Sequence, residues 1–307
     1  MKIALYYRHI DDNDRPALDQ LTATLCGKGI DTVTIHDGDT LAPCDFLFSI
    51  GGDGTLLSTV QFVRPDRPGD FPPVLGINFG HLGFLTTVGK ENLYTMVEEL
   101  LEGRFTLEER TLLQLHTTHS PLPTPHSPLP TPHSPLPTPH SPLPTPHSPL
   151  PTTHSPLPTP RYALNEVFVH RTEEASLLRT ELHVDGRYVA TYAGDGAIVA
   201  TPTGSTAYSL SCGGPILTPD SRGLLITPIS AHTLTLRPVI VPDTVELHLR
   251  VGDDCFLGCD SSRTTLAGGS ELTLRRAPFT IRLVRLGSQN FFTAIREKLM
   301  WGTEIRL

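Results

Sequence analysis

Five consecutive residues, Gly51, Gly52, Asp53, Gly54 and Thr55, directly follow the apolar run Asp45-Phe46-Leu47-Phe48-Ser49-Ile50. A buried strand ending in this way delivers one carboxylate and one hydroxyl to a turn that opens a helix. Glycines admit positive φ and leave no Cβ between backbone amides and a ligand. Amides at the start of a helix favour phosphate. A carboxylate beside phosphate is repelled unless it accepts a proton, holds Mg2+ or bonds a sugar hydroxyl, and these are the needs of phosphoryl transfer. The competing explanation is that Asp53 caps the helix that follows it.

A second stretch, Tyr192 to Pro215, leads from an apolar strand into a segment dense in hydroxyls and glycines and free of positive charge. Asp195, Thr203, Ser205, Thr206, Tyr208, Ser209 and Ser211 all fall within it. Hydroxyls and bare amides suit sugar and amide recognition, where each donor must be matched. A Ser/Thr-rich loop of a β domain would have the same composition. Asn165-Glu166 sets two polar residues side by side in the run Ala163 to His170. One of them must face inward or lie at an edge, and a vicinal ribose diol would satisfy such a pair.

Other nucleotide motifs are missing. Neither Gly27-Lys28 nor Gly89-Lys90 precedes Ser or Thr, so GxxxxGK[ST] is absent, and no GxGxxG follows a strand. The five cysteines, Cys26, Cys44, Cys212, Cys255 and Cys259, are odd in number and form no CxxC pair. They read as free thiols of a reducing cytoplasm, and Cys255 with Cys259 alone is a weak metal signal.

The elements that must position these groups change character along the chain. Up to about residue 104 apolar strands (Ile3–Tyr7, Thr32–Ile35, Phe46–Ile50, Val74–Ile77) alternate with helical patterns. Leu18, Leu21 and Leu25 mark one helix, Leu56 to Val63 a second, and Leu93, Met96, Val97, Leu100 and Leu101 a third. This predicts a parallel sheet covered on both faces, with ligands beyond the carboxyl ends of its strands. From residue 105 strands dominate: Leu112–His116, Ala163–His170, Thr180–Val184, Tyr188–Tyr192, Ala197–Ala200, Leu234–Val241, Val245–Val251, Leu272–Leu274 and Phe279–Leu286. Asp185-Gly186 is a hairpin signal, and a last helix spans Phe291 to Trp301. The expected fold is an α/β N-terminal domain, residues 1–104, with a parallel sheet, to which 288–307 returns. A mainly antiparallel, β-sandwich-like domain of residues 105–287 follows.

Residues 119–160 interrupt that second region with six near-identical copies of HSPLPTP. Proline at 17 of these 42 positions denies helices and ladders their N–H donors, which predicts disorder or polyproline II. A period of seven does not align the histidines on a three-residue turn, so a metal-binding array is a poor reading. The PxxP pattern is permissive, and a tolerated surface expansion explains the segment best. Removing it leaves 265 residues of ordinary globular composition. The net charge of −8, from 32 acidic and 24 basic residues, argues against nucleic-acid and anionic-membrane partners. No apolar run approaches the ~20 residues of a membrane span.

Taken together the motifs resemble the NAD kinase family: FSIGGDGTLL at 48–57, LGINFGHLGFL at 75–85, ALNEVFVHR at 163–171, DGAIVATPTGSTAYSLSCGGPI at 195–216, ITPISAHTLTLRPVIVP at 226–242 and FFTAIREKLMWG at 291–302. The resemblance implies transfer of the ATP γ-phosphate to the 2′-hydroxyl of the adenosine ribose of NAD, giving NADP, between a nucleotide domain and an NAD-binding domain. It implies Mg2+ or another divalent cation with ATP, a cytoplasmic location, and a homo-oligomer, dimer or tetramer. Asp53 matches the proton acceptor, with Gly51, Gly52, Gly54 and Thr55 in the nucleotide site. Asn165 and Glu166 match the pair that holds the adenosine portion, and Asp195 a carboxylate on the nicotinamide side. Thr206, Ala207, Tyr208, Ser209, Leu210 and Ser211 match the loop that contacts NAD. Phe84 matches an aromatic by the adenine and Ala231 a backbone contact.

Departures from the family pattern are the repeat, Ala193 where some members carry Arg, and Ser261 after Asp260 where many have Gly. Two rival readings remain. A lipid or sphingoid kinase also carries a GGDGT-type loop, but the acidic balance and the absence of a basic amphipathic helix count against it. A non-catalytic NAD(P)-binding sensor would keep the pocket without turnover.

Overall fold

The computed structural model describes residues 1–64, 66–80, 83–118, 161–287 and 290–301. The HSPLPTP repeat, and with it the expectation of polyproline II or disorder, lies outside the described residues.

The chain opens with β1 (Lys2–Tyr6), α1 (Arg15–Gly27), β2 (Asp31–Ile35), β3 (Phe46–Ile50), α2 (Asp53–Ser58) and β4 (Val74–Asn78). A two-residue β5 (Val88–Gly89) and α3 (Leu93–Leu101) follow. The four main strands pair in parallel in the order β4-β3-β1-β2. All five residues of β4 are buried, as a strand covered on both faces requires. One cover is α1 with α3, whose Leu18, Leu21, Leu25, Met96, Val97 and Leu100 share a core with Ile3, Phe48 and Ile77. The other is built around Leu56, Val60 and Phe62. Strand order reverses between β1 and β3, so the glycine turn after β3 sits at the switch point of the sheet. The helix read over Leu56–Val63 starts earlier and is shorter. After Ser58 the chain tightens into a 3-10 turn over Thr59–Phe62, where the Thr59 hydroxyl bonds the Leu56 carbonyl.

The remaining strands are β6 (Phe105–Thr118), β7 (Arg161–Ala163), β8 (Glu166–Arg171), β9 (Leu178–Val184), β10 (Arg187–Gly194), β11 (Gly196–Ala200) and β12 (Gly223–Ile229). After them come β13 (Val239–Pro242), β14 (Leu247–Val251), β15 (Cys255–Cys259), β16 (Ser262–Leu266) and β17 (Glu271–Leu286), with α4 (Tyr208–Ser211) after β11 and α5 (Phe291–Leu299) last. A six-stranded antiparallel sheet, β13-β12-β11-β8-β15-β16, packs against β9, β14 and β17 through Val167, Val199, Leu257, Leu182, Leu249 and Leu274. Those three strands belong to an eleven-stranded sheet that continues through β4 into the parallel strands.

Three strand readings change. Leu272–Leu274 and Phe279–Leu286 are one strand, β17, with a bulge between Arg276 and Thr280 that accommodates Pro278. Ala163–His170 is two, because the amides of Leu164, Asn165 and Glu166 turn to Asp260 instead of a ladder. Of Leu234–Val241 only Val239 onward is strand, and β12, β15 and β16 are additions. Asp185 and Gly186 do make the hairpin between β9 and β10, both at positive φ (47° and 73°). The repeat joins strands that pair directly, since Leu113 on β6 faces Ala163 on β7.

Candidate active site

The glycine turn is shaped by close approach. Gly51 takes φ 145°, and a Cβ there would overlap the Thr55 side chain. α2 begins at Asp53 without a side-chain cap, so capping does not explain this residue. Its carboxylate reaches across to the next loop. Oδ2 accepts from the Phe84 amide at 2.7 Å. Oδ1 accepts from the Leu85 amide at 3.2 Å, the Thr86 amide at 3.0 Å and the Thr86 hydroxyl at 3.0 Å. Three donors thus converge on Oδ1 and one on Oδ2, so Oδ2, with two lone pairs, keeps one acceptor site open. The Thr86 hydroxyl is itself oriented, receiving hydrogen bonds from Asn78 Nδ2 and the Gly83 amide at 3.0 Å each. A Cβ at Gly83 would overlap the Asp53 carboxylate, so this glycine is required for the approach. The half-buried Phe84 ring lies 5.6 Å from Lys298 Nζ of α5.

The second cluster forms where β8 and β11 meet the hydroxyl-rich loop. Asn165 and Glu166 are 8% and 7% exposed. The Asn165 carbonyl accepts from the Thr201 amide at 2.9 Å, and a Cβ at Gly204 would overlap that carbonyl. This packing seats the 3-10 turn Thr203–Thr206 on the Asn-Glu pair. Glu166 Oε2 is buried with no partner. Burial, with the negative charge of Asp260 added, pushes the Glu166 carboxyl from its ordinary 4.5 up to about 8. Within the loop, Thr206, Ala207, Tyr208 and Leu210 are half-buried and Ser211 is exposed. Ser209 faces inward and shares a 2.7 Å hydrogen bond with Thr227.

Asp195 lies between β10 and β11, where its amide bonds the Ile229 carbonyl and its carboxylate accepts from Arg171 Nε at 2.6 Å. That guanidinium holds the Asp195 carboxyl below its ordinary value. Ser230 takes φ 45° immediately before Ala231. The structure thus gathers Asn165, Glu166, Asp195, Thr206–Ser211 and Ala231 on the six-stranded sheet, and Gly51–Thr55 with Phe84 at the end of the parallel one.

Sequence reasoning missed the residues that hold these clusters. Asp260 accepts from the amides of Leu164 at 2.7 Å, Asn165 at 2.8 Å and Glu166 at 3.1 Å. Its local signal, a lone Asp before Ser-Ser, reads only as a turn. Ser58 Oγ of α2 meets Ser261 Oγ at 3.2 Å, beside a cavity of about 590 Å3 that also borders Arg8, Asp37, Gln61 and Arg161. Arg285, Glu108 and Arg110 lie between the two clusters. Among the described residues no group of three or more His, Cys, Asp or Glu gathers as for a metal. No helix among them is long and apolar enough to cross a membrane.

A glycine turn with a fixed carboxylate at the switch point of a parallel sheet, beside an antiparallel sheet that presents buried carboxyl and hydroxyl groups, defines a two-part α/β and β protein of the nucleotide-handling class. Residues 10–105 match the ATP-NAD kinase N-terminal domain and residues 164–286 the ATP-NAD kinase C-terminal domain. The chain belongs to the NAD kinase family. It is 36% identical over 268 residues to the NAD kinase of Christiangramia forsetii, covering 85% of this chain and 78% of that one. Its fold is that of the yeast NADH kinase complexed with NADH (TM-score 0.78, 23% identity, 100% of this chain and 90% of that one). It is shared by the Archaeoglobus fulgidus NAD kinase in complex with ATP (TM-score 0.70, 22% identity, 98% and 99%).

Proposed function

We propose that this protein phosphorylates NAD to NADP, moving the γ-phosphate of ATP to the 2′-hydroxyl of the adenosine ribose. The observation that carries this reading is Glu166 Oε2, a buried acceptor without a donor beside a hydroxyl-rich loop. A ribose diol supplies the missing donor, and an unsatisfied buried acceptor is costly until it does. Asn165 and the Thr206–Ser211 loop then hold the adenosine portion, with Asp195 and Ala231 toward the nicotinamide side.

The 2′-oxygen attacks the γ-phosphorus as the bond to the β-phosphate oxygen breaks and ADP leaves. The proton of the 2′-hydroxyl passes to Asp53, whose Oδ2 accepts only from the Phe84 amide and keeps a lone pair for the substrate hydroxyl. Residues 1–104 handle ATP through the glycine turn, with Phe84 beside the adenine, and residues 105–287 handle NAD. Mg2+ or another divalent cation enters with ATP, since Mg2+ is commonly held by phosphate oxygens with few protein ligands. Assembly into a dimer or tetramer belongs to the same reading. Edge strand β13 supports it, with Val239 and Ile240 43% and 49% exposed.

The four donors that already hold Asp53 favour a second reading, a binding protein for NAD(P) without turnover. One assay separates the two. Purified protein with ATP, Mg2+ and NAD forms NADP on the first reading, and binds NAD without forming it on the second.

A further inference from the structure

Arg285 on β17 and Glu108 and Arg110 on β6 form an unbroken polar chain between the two clusters. Arg285 Nη1 donates to the Leu85 carbonyl at 3.1 Å, and its Nε donates to Glu108 Oε2 at 2.7 Å. Arg110 Nη2 donates to the same Glu108 oxygen, and Arg110 Nη1 lies 3.5 Å from Thr203 Oγ1. Glu108 and Arg110, two apart on one strand, share a face. The pairing of β6 with β17 sets Thr106 opposite Arg285, which brings Arg285 diagonally onto Glu108.

The two ends of this chain matter most. The Leu85 carbonyl and the Thr86 amide belong to one peptide unit. Its oxygen takes the Arg285 hydrogen bond while its N–H donates to Asp53 Oδ1 at 3.0 Å. A cation on the carbonyl side polarises that peptide and strengthens its N–H as a donor. At the other end Thr203 begins the turn that packs on Asn165. Arg110 is 3% and Arg285 9% exposed, and together they share one carboxylate. Burial alone would raise the Glu108 carboxyl, but the charges of Arg285 and Arg110 outweigh it and hold the group below its ordinary value. Two buried guanidiniums on one carboxylate are a poor way to gain stability, because apolar side chains of similar volume usually serve as well or better.

We infer that Arg285, through Glu108 and Arg110, is a positioning residue for phosphoryl transfer, fixing the peptide that aims Asp53 and tying its orientation to the loop that seats the acceptor ribose. The inference rests on the proposed role of Asp53. The test is a double-mutant cycle on purified full-length protein, with kcat and KM for NAD and ATP measured for wild type, Arg285→Met, Asp53→Asn and the pair. Arg285→Met leaves Glu108 and Arg110 as a balanced ion pair. We expect kcat to fall tenfold or more, both KM values to stay within threefold, and the melting temperature to move by a few degrees. In the Asp53→Asn background the same substitution changes kcat by less than twofold, because the group it aims is gone. If Arg285→Met does not fold, Arg285→Gln, which removes the charge and keeps a polar side chain, carries the same expectation. A folded variant with kcat within twofold of wild type overturns the inference, as does an equal loss in both backgrounds. Near-normal turnover by Asp53→Asn alone instead overturns the role of Asp53, and the inference with it.

Discussion

Replacing Glu166 by glutamine removes one ionisation while keeping the shape of the side chain. The wild-type carboxyl ionises at about 8 in the folded protein, against an ordinary 4.5. Between those values the folded chain holds a proton that the unfolded chain has lost. The raised group therefore contributes stability that is full below about pH 4.5 and is lost as pH rises through 8. The slope approaches about 1.4 kcal/mol per pH unit inside that window, which integrates to roughly 2–3 kcal/mol between pH 5 and pH 7. At about 2–4 °C per kcal/mol for a chain of this size, the wild type should lose several degrees of melting temperature relative to Glu166→Gln over that range. Both proteins carry every other titrating group, so the difference isolates Glu166. Ligand binding supplies a second measurement. A hydroxyl donated to Oε2 favours the ionised form, so NAD binding near pH 7 should release close to one proton. Calorimetry in two buffers of different ionisation enthalpy reads that proton, and Glu166→Gln should abolish it. A wild-type minus variant stability difference that stays flat from pH 5 to pH 8 would refute the assignment of a protonated, unpartnered Glu166.

Asp53→Asn should retain ATP and NAD binding and lose kcat by roughly 10²–10⁴-fold, the usual span for a general base, in a steady-state assay of NADP formation. Asp260→Asn replaces an acceptor of three amides with one that cannot serve them all. A lost bond to a charged group costs about 1.5–3 kcal/mol, so NAD affinity should fall roughly ten- to hundredfold while ATP affinity holds, as titration calorimetry would report. Asp195→Ala should likewise weaken NAD far more than ATP, and equal losses tracking a lower melting temperature would make the residue structural. Shortening the 42-residue repeat to one unit changes the loop-closure term by about 1.6 kcal/mol for a flexible chain. Denaturant unfolding should record a gain near that size, with kcat and the KM for NAD unchanged, whereas an altered KM would make the repeat part of the site.

What was legible in the sequence is what repeats locally. Buried parallel strands announce themselves as apolar runs, and β1 to β4 lie within a residue of where periodicity puts them. Asp185-Gly186 carries its own turn geometry. The rest depends on partners distant in the chain. Nothing near Leu164 says that three successive amides will leave the ladder for Asp260, some 95 residues on. Nothing near Pro278 says that a bulge will keep β17 whole, because its ladder partner is β6. At the site, GGDGT and Asn-Glu are visible as motifs, but the grip of residues 84–86 on Asp53 is not. Backbone donors have no residue type, so a loop that works through its amides leaves only Gly83 as a trace.

The pairing of Leu283 on β17 with Val74 on β4 joins residues some 200 positions apart. During synthesis at about 5–20 residues per second, the part of the β4 edge that β5 leaves unpaired therefore waits roughly 10–40 s for β17. For that interval an apolar edge without side-chain charge faces solvent or whatever shelters nascent chains. The N-terminal half is thus made first and finished last, and conditions that slow translation of the second half should increase its aggregation before they touch the finished protein.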